Sequence, residues 1–261
     1  MTEPLAPRTI VEAFLPAHGA VPLAVVYNTA NRAGVDDQPL RLTIRRMIAA
    51  GDVTQQGRGR SGTLSLTETG QARLHRDRVG LALAFAQDAG QAPWDGRWRL
   101  VALSVPERDR AVRDALRRAL LDAGAVAITN GLYVGPHELG EMLPPDARTH
   151  LATATTDDLD VRGTNEPHAL TEMLWPSAPV IAAYERVDRA LRNDIVDSTT
   201  PVPVRQLRLA DALDRAIRHD PLIPRELRAA PWPPSSTRTA WGERWETLRQ
   251  QADDHPLYDG W

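Results

Sequence analysis

The stretch from Gly34 to Gly70 constrains the fold most, because a helical hydrophobic period is followed within it by a strand period. Apolar residues first recur at i, i+4, i+7 and i+8, which predicts one buried helical face. These residues are Leu40, Ile44, Met47 and Ile48. Asp36 or Asp37 can cap the helix, and Gly51 ends it. Val53–Gln56 and the alternating run Thr63–Thr67 then predict the two strands of a hairpin.

Arginines occur on both the predicted helix and the predicted hairpin tip. The exposed helix face carries Gln38, Arg41, Leu42, Arg45 and Arg46. The tip, residues 57–62, holds Arg58 and Arg60 between glycines. Arg and Gln on a helix can read base edges in the major groove, and an Arg-tipped hairpin can contact the DNA backbone. The pattern predicts a winged helix-turn-helix whose DNA-binding residues are these seven side chains.

The same stretch has two other interpretations. An Arg-rich helix face can simply be solvated, and helix-turn-helix units also serve as protein-interaction modules, so an interaction or scaffold protein without operator binding stays an alternative. The tip also matches G-x-G-x-x-G, the dinucleotide-binding pattern. A strand rather than a helix is predicted after it, so no helix N-terminus is available for a pyrophosphate.

Composition narrows the function classes. Residues 1–90 hold ten Arg against eight acids, whereas the remainder holds 21 against 26 and is net acidic. DNA affinity is therefore expected in the first domain only, with other partners for the rest. The chain has no cysteine, which fits a reducing compartment. The longest apolar run, Leu81–Ala86, is too short to cross a membrane, and the first residues do not form a signal peptide, so a cytoplasmic protein is expected.

Enzymatic function is not expected. The seven His residues show no i, i+3 or i+4 pairing typical of a metal site, and no nucleophile-elbow motif occurs. A metal-dependent nuclease, the third and most distant alternative, would need clustered carboxylates at a strand end, where Ser104 stands instead. We predict no catalytic residues, no metal and no cofactor.

The rest of the chain predicts an α+β protein of three domains. A winged-helix domain is expected over 1–90, a central domain over 94–160 and a helical domain over 165–261. The central domain should contain, in order, a strand at Arg97–Ser104, a helix from Pro106 to Gly124, strands at Val126–Ile128 and Leu132–Val134, a short helix near Glu138–Leu143 and a strand near Leu151–Thr155. This β-α-β-β-α-β order is ferredoxin-like. Helices expected in the third domain are Ala169–Leu174, Ala178–Asn193, Val204–His219 and Thr237–Gln251.

Three motifs in chain order resemble the PaaX-type transcriptional regulators. The first comprises Gly34–Arg41, Gly57–Arg60 and Leu66–Gly70; the second comprises Trp98–Val101, Pro106–Glu107 and Gly131–Pro136; the third is Asp220–Leu227 with Trp232–Pro233. The chain departs from the family's pattern at Pro39, Asp52, Ser104 and Pro234. The residues Gln38, Leu42 and Arg45 are therefore expected to read an operator of their own.

The resemblance implies a dimeric repressor of catabolic genes that an acyl-coenzyme A thioester releases from its operator. It also implies a central domain related to the small CRISPR-associated nuclease fold. We expect the helical C-terminal region to supply much of the dimer interface. A pocket for coenzyme A must offer arginines to its phosphates, and candidate arginines flank the motif segments. The candidate ligand-binding residues are Arg97, Arg99, Arg225, Arg228 and Trp232.

Overall fold

The computed structural model describes residues 5–139, 143, 145–197, 199–251 and 256–260. Helices and sheets mix along the chain, which confirms the predicted α+β class at that level. The chain divides into two compact units. The first comprises Met1–Asp77, Glu185–Asp214 and Thr237–Trp261, and the second comprises Arg78–Tyr184 and Arg215–Ser236. None of the described helices is long and apolar enough to span a membrane.

The first unit opens with helices and a small antiparallel sheet. In chain order these are α1 (Pro7–Phe14), β1 (Val21–Pro22), α2 (Leu23–Arg32), α3 (Asp37–Ala49), β2 (Val53–Gln56) and β3 (Thr63–Leu66), followed by α4 (Glu68–Asp88), whose first half belongs to this unit. The sheet order is β1-β3-β2, and β2 and β3 pair from Val53 opposite Leu66 to Gln56 opposite Thr63. A single 3₁₀ turn, Gly59–Ser61, forms the hairpin tip.

The apolar face predicted for α3 is largely, but not fully, buried. Leu40, Ile44 and Met47 are at most 3% exposed and pack with Ile10 and Leu64 in one core. Ile48 was predicted to share this face, but the residue is 39% exposed, so that part of the prediction is wrong. Ile48, eight residues after Leu40, lies at the edge of the apolar stripe near the C-terminal end of the helix.

Three later helices contribute to the first unit. They are α7 (Ser177–Val196) from Glu185, α8 (Val202–Ile217) to Asp214, and α9 (Pro233–Arg249) from Thr237. Leu207 of α8 is fully buried in the same core as α1 to α3, and Trp245 of α9 packs against that core. Residues distant in sequence thus complete the apolar core of the N-terminal segment.

The second unit is built on a four-stranded antiparallel sheet. Its elements include β4 (Trp98–Leu103), α5 (Arg110–Asp122), β5 (Val126–Thr129), β6 (Leu132–Gly135), β7 (Leu151–Thr156) and α6 (Pro167–Leu174). The strand order β5-β6-β4-β7 is that of a ferredoxin-like sheet. A 3₁₀ turn at Glu107–Asp109 precedes α5, and a 3₁₀ segment at Pro145–His150 precedes β7. Much of the short helix predicted near Glu138–Leu143 lies outside the described residues, and Glu138 and Leu139 are not helical.

Alternation along β4 gives this sheet two buried faces. Val101 packs with Leu116 and Leu120 of α5, whereas Trp98 packs with α6 residue Leu170 and with Ile223. Successive side chains of a strand point to opposite faces, so both faces need a covering layer. The helix α5 covers one face of this sheet, and α6 with the segment around Ile223 covers the other.

Candidate nucleic-acid interface and ligand-site residues

The exposed face of α3 presents all five side chains that the sequence assigned to base contacts. Gln38, Arg41, Leu42, Arg45 and Arg46 are exposed, and Leu42 is 47% exposed. Arg41 and Arg45 are separated by one helical turn, so they lie one above the other on the same face. The buried apolar face packs α3 into the core, while its Gln and Arg side chains face solvent.

Arg60 is engaged within the protein rather than extended from the hairpin. Its Nη1 donates to Oδ1 of Asn28 at 2.5 Å, and its Nη2 donates to Oδ1 of Asn31 at 2.8 Å and to Oδ1 of Asp37 at 2.9 Å. The guanidinium also lies over the ring of Tyr27, 5.3 Å from its centroid. These contacts fasten the hairpin tip to α2 and to the first turn of α3.

Asp37 is the anionic centre of this cluster. Asn31 Nδ2 donates to Asp37 Oδ1 at 3.0 Å. That hydrogen bond, together with the bond and charge of Arg60, holds the pKa of the Asp37 carboxyl below its usual range. The sequence interpretation missed Asn28, Asn31 and Asp37 as partners of the tip. The only sequence pattern that indicates this contact is the spacing of Asn28 and Asn31 at i and i+3 on α2.

Arg58 differs from Arg60. Its side chain is exposed, and its guanidinium makes no hydrogen bond or ion pair to any residue that the structure describes. The flanking Gly57 and Gly59 have φ of +77° and +57°, a conformation that favours glycine. The turn therefore directs one arginine outward and the other back onto the protein.

A charged network lies behind the hairpin. Asp52, which is 5% exposed, accepts a hydrogen bond from Arg8 at 3.1 Å and pairs with Arg73 Nε at 3.3 Å. Arg8 and Arg73 both also bind Glu12, at 2.7 Å each. Asp52 is one of the departures from the family pattern, and here it ties the start of the hairpin to α1 and α4.

The five predicted ligand residues all lie in the second unit but do not form one cluster of contacts. Arg99 binds Asp95 at 2.7 Å and Glu138 at 2.8 Å, so acidic neighbours already compensate its charge. The hydrogen bond from Arg99 also lowers the pKa of Asp95. Arg97 is exposed, and Arg225, also exposed, donates to the carbonyl of Asp88 at 3.2 Å.

Arg228 and Trp232 are brought together. The Arg228 guanidinium carbon lies 4.8 Å from the centroid of the Trp232 ring. Arg228 is 4% exposed, which makes it one of the few buried arginines. Burial lowers the pKa of its guanidinium, against the opposing charges of Asp220 and Glu172.

Metal ligands do not cluster in the described residues: no three His, Asp or Glu side chains come together there.

Comparison with known proteins supports the central region and the fold. A family model described as the PaaX protein central Cas2-like domain matches residues 91–162. Among solved structures, the chain is similar to the uncharacterized protein Rv0674 from Mycobacterium tuberculosis, at 23% identity and a TM-score of 0.61, over 95% of this chain and 97% of that one. No curated protein matches. At this identity the structural likeness concerns the fold alone.

Proposed function

We propose that this chain is a sequence-specific DNA-binding transcriptional regulator, because the model of the PaaX central domain matches residues 91–162 and confirms the predicted resemblance. The observation that carries the proposal is the exposed α3 face with Gln38, Arg41 and Arg45, beside a hairpin tipped with arginine. The order α1-β1-α2-α3-β2-β3 supports a winged helix-turn-helix in which α3 enters the major groove.

The regulator acts as a homodimeric cytoplasmic repressor in this proposal. One winged helix contacts too few base pairs for genomic specificity, so two copies must bind together. The helices beyond residue 165 supply much of the dimer interface. Footprinting on the DNA upstream of its own and neighbouring genes tests the proposal: we expect protection of two inverted half-sites about one or more helical turns apart. Uniform, sequence-independent protection, or no protection, would contradict the proposal, and no protection would favour the scaffold alternative.

The effector in this proposal is an acyl-coenzyme A thioester bound by the second unit. Exposed arginines of this unit, Arg97 and Arg225, support a role in binding the phosphates of coenzyme A. A ligand releases DNA only by binding the DNA-incompetent state more tightly. Acyl-coenzyme A thioesters added to the footprinting reaction should therefore remove the protection.

The two tip arginines should affect DNA binding differently. Arg58 is free to contact a phosphate, so Arg58→Ala should weaken specific and non-specific binding alike and reduce the slope of log K against log salt by about 0.9. Arg60→Ala removes the contacts to Asn28, Asn31 and Asp37, so it should loosen the hairpin. Fluorescence anisotropy at four salt concentrations measures both.

Asp37→Asn is the matched control for Arg60. It keeps the side-chain volume and one hydrogen-bond acceptor but removes the charge that competes with phosphate for the guanidinium. We expect this variant to keep the hairpin in place and to bind non-specific DNA more tightly than the wild type.

An Arg58→Ala variant with an unchanged salt slope would contradict the role given to the tip.

A further inference from the structure

The guanidinium of Arg228 is buried, and only one of its nitrogens, Nη1, donates hydrogen bonds to the described residues. Its side chain is 1% exposed. Its Nη1 donates to the carbonyl of Trp175 at 2.6 Å and to Oγ of Ser177 at 3.1 Å. Its Nε and Nη2 are also buried, and neither has a hydrogen-bond partner within the part of the chain that the structure describes. Buried donors are almost always satisfied, so two on one charged group point to a missing partner.

The unsatisfied pair has a specific geometry. Nε and Nη2 form one edge of the planar guanidinium, and their N–H bonds run parallel. This edge matches the two oxygens of a carboxylate in a bidentate, coplanar pair. A phosphate also offers two oxygens, but its other oxygens project out of the plane. The Arg228 guanidinium carbon lies over the Trp232 ring, 4.8 Å from its centroid, so an apolar aromatic surface lies beside this donor group.

The carboxylate of the protein nearest to Arg228 serves another purpose. Glu172 Oε2 lies 3.9 Å from Nη1, which is not the unsatisfied edge, and the Glu172 side chain is 61% exposed. This carboxylate accepts hydrogen bonds from the backbone N–H of Ser177 at 3.0 Å and from its Oγ at 2.6 Å, at the first residue of α7. Glu172 therefore caps the helix, and although the charge of Asp220 also acts on Arg228, no described carboxylate pairs directly with the Nε–Nη2 edge.

Access to Arg228 depends on the segment that carries Trp232. Ala229, Ala230 and Pro231 are exposed, and Trp232 is half-buried over the guanidinium. A stacked ring on an exposed segment can move aside without unfolding the strands or helices of the unit. The apolar indole surface of Trp232 would then contact the body of a ligand whose charge pairs with Arg228.

We propose that the Nε–Nη2 edge of Arg228 is a binding site for the carboxylate of a small, largely apolar organic acid, with Trp232 as its movable cover. This ligand is distinct from the acyl-coenzyme A effector of the proposed function, whose thioester offers no free carboxylate. The site itself can be tested without DNA.

Thermal unfolding of the full chain with matched probes tests the site. Acetate, hexanoate and benzoate are compared at millimolar concentration with acetamide, hexanamide and benzamide, which keep the shape and remove the charge. We expect at least one acid to raise the unfolding midpoint by about 3 °C or more and its amide to leave the midpoint unchanged. Inorganic phosphate at the same ionic strength should give no stabilisation that depends on Arg228.

Two arginine variants assign any shift to its residue. Arg228→Lys keeps the charge but lacks the bidentate edge, so it should weaken binding at least tenfold, and Arg228→Met should abolish the shift. Arg117→Met changes an exposed arginine of α5 that has no part in the site and should keep the full shift. If Arg228→Met does not fold, Trp232→Phe provides the second measurement: the acid should change the intrinsic fluorescence of the wild type and change that of this variant less.

The outcomes separate the site from the proposed function. The proposal is overturned if no acid stabilises the chain, if Arg228→Lys keeps full affinity, or if phosphate stabilises the wild type as strongly as the acids and Arg228→Met removes that effect. Operator binding measured on the same samples is independent: if acids bind but no operator is footprinted, the site stands and the proposed function fails. If an operator is footprinted but no acid binds, the function stands and this site fails.

Discussion

Removing Arg41 and Arg45 together should abolish operator recognition while leaving the protein folded. Both side chains are exposed, and neither bonds to other described side chains of the core, so their loss costs little stability. A bidentate pair between Arg and guanine contributes about 1–3 kcal/mol, which corresponds to about 5- to 150-fold in affinity for each residue. We expect the double alanine variant to lose operator affinity by two orders of magnitude or more, as measured by fluorescence anisotropy.

The control for this result is an arginine of the same exposure on another element. Arg117 lies exposed on α5, and Arg117→Ala removes the same charge without touching α3. This variant should bind the operator within about twofold of the wild type, because a distant surface charge acts only through the screened field. Non-specific DNA binding should fall less than operator binding in the double variant. If Arg41→Ala and Arg45→Ala each leave the operator affinity within twofold, α3 is not the recognition helix.

Local sequence patterns predicted the individual elements well. The spacing of Leu40, Ile44 and Met47 predicted α3, because a buried helical face needs that period wherever the helix packs. Alternation predicted β3, and Gly57 and Gly59 marked the turn where positive φ is required. The prediction failed at Ile48, where the helix is near its end and the apolar stripe no longer faces the core.

Contacts between distant residues could not be predicted in the same way. Arg60 and Asp37 are 23 residues apart, and nothing in either local pattern indicates that the hairpin folds back to bind the first turn of α3. The same holds for Leu207, whose helical period predicts a buried face but not that it is buried with α1 to α3. Periodicity reports that a face is covered, whereas only the tertiary fold decides which segment covers it.

Arg228 shows the same limit at the candidate ligand site. The sequence placed it among five residues beside the conserved-looking motifs, with no means of ranking them. Ranking requires knowing which charges are already compensated: Arg99 binds Asp95 and Glu138, whereas one edge of Arg228 has no described partner. Burial and pairing are properties of the packed chain, so they enter only with the structure.

Removing Asp194 should destabilise the first unit more than any surface substitution. Asp194 is 7% exposed and accepts hydrogen bonds from Arg205 Nε at 2.8 Å and from Arg244 Nε at 2.5 Å. Arg205 is itself buried, so Asp194→Ala leaves a guanidinium without its counter-ion. Breaking a buried pair in this way costs about 3–5 kcal/mol. We expect a fall of about 10 °C in the unfolding midpoint measured by calorimetry.

Two variants separate the unpaired charge from simple loss of a side chain. Glu185→Ala removes an exposed acid from the same helix, α7, and should change stability by less than about 0.5 kcal/mol. The triple change of Asp194→Leu, Arg205→Met and Arg244→Met removes all three charges and should recover most of the lost stability, since apolar residues of similar volume replace buried ion pairs at little cost. If the triple variant is no more stable than Asp194→Ala, packing rather than charge dominates at this junction of α7, α8 and α9.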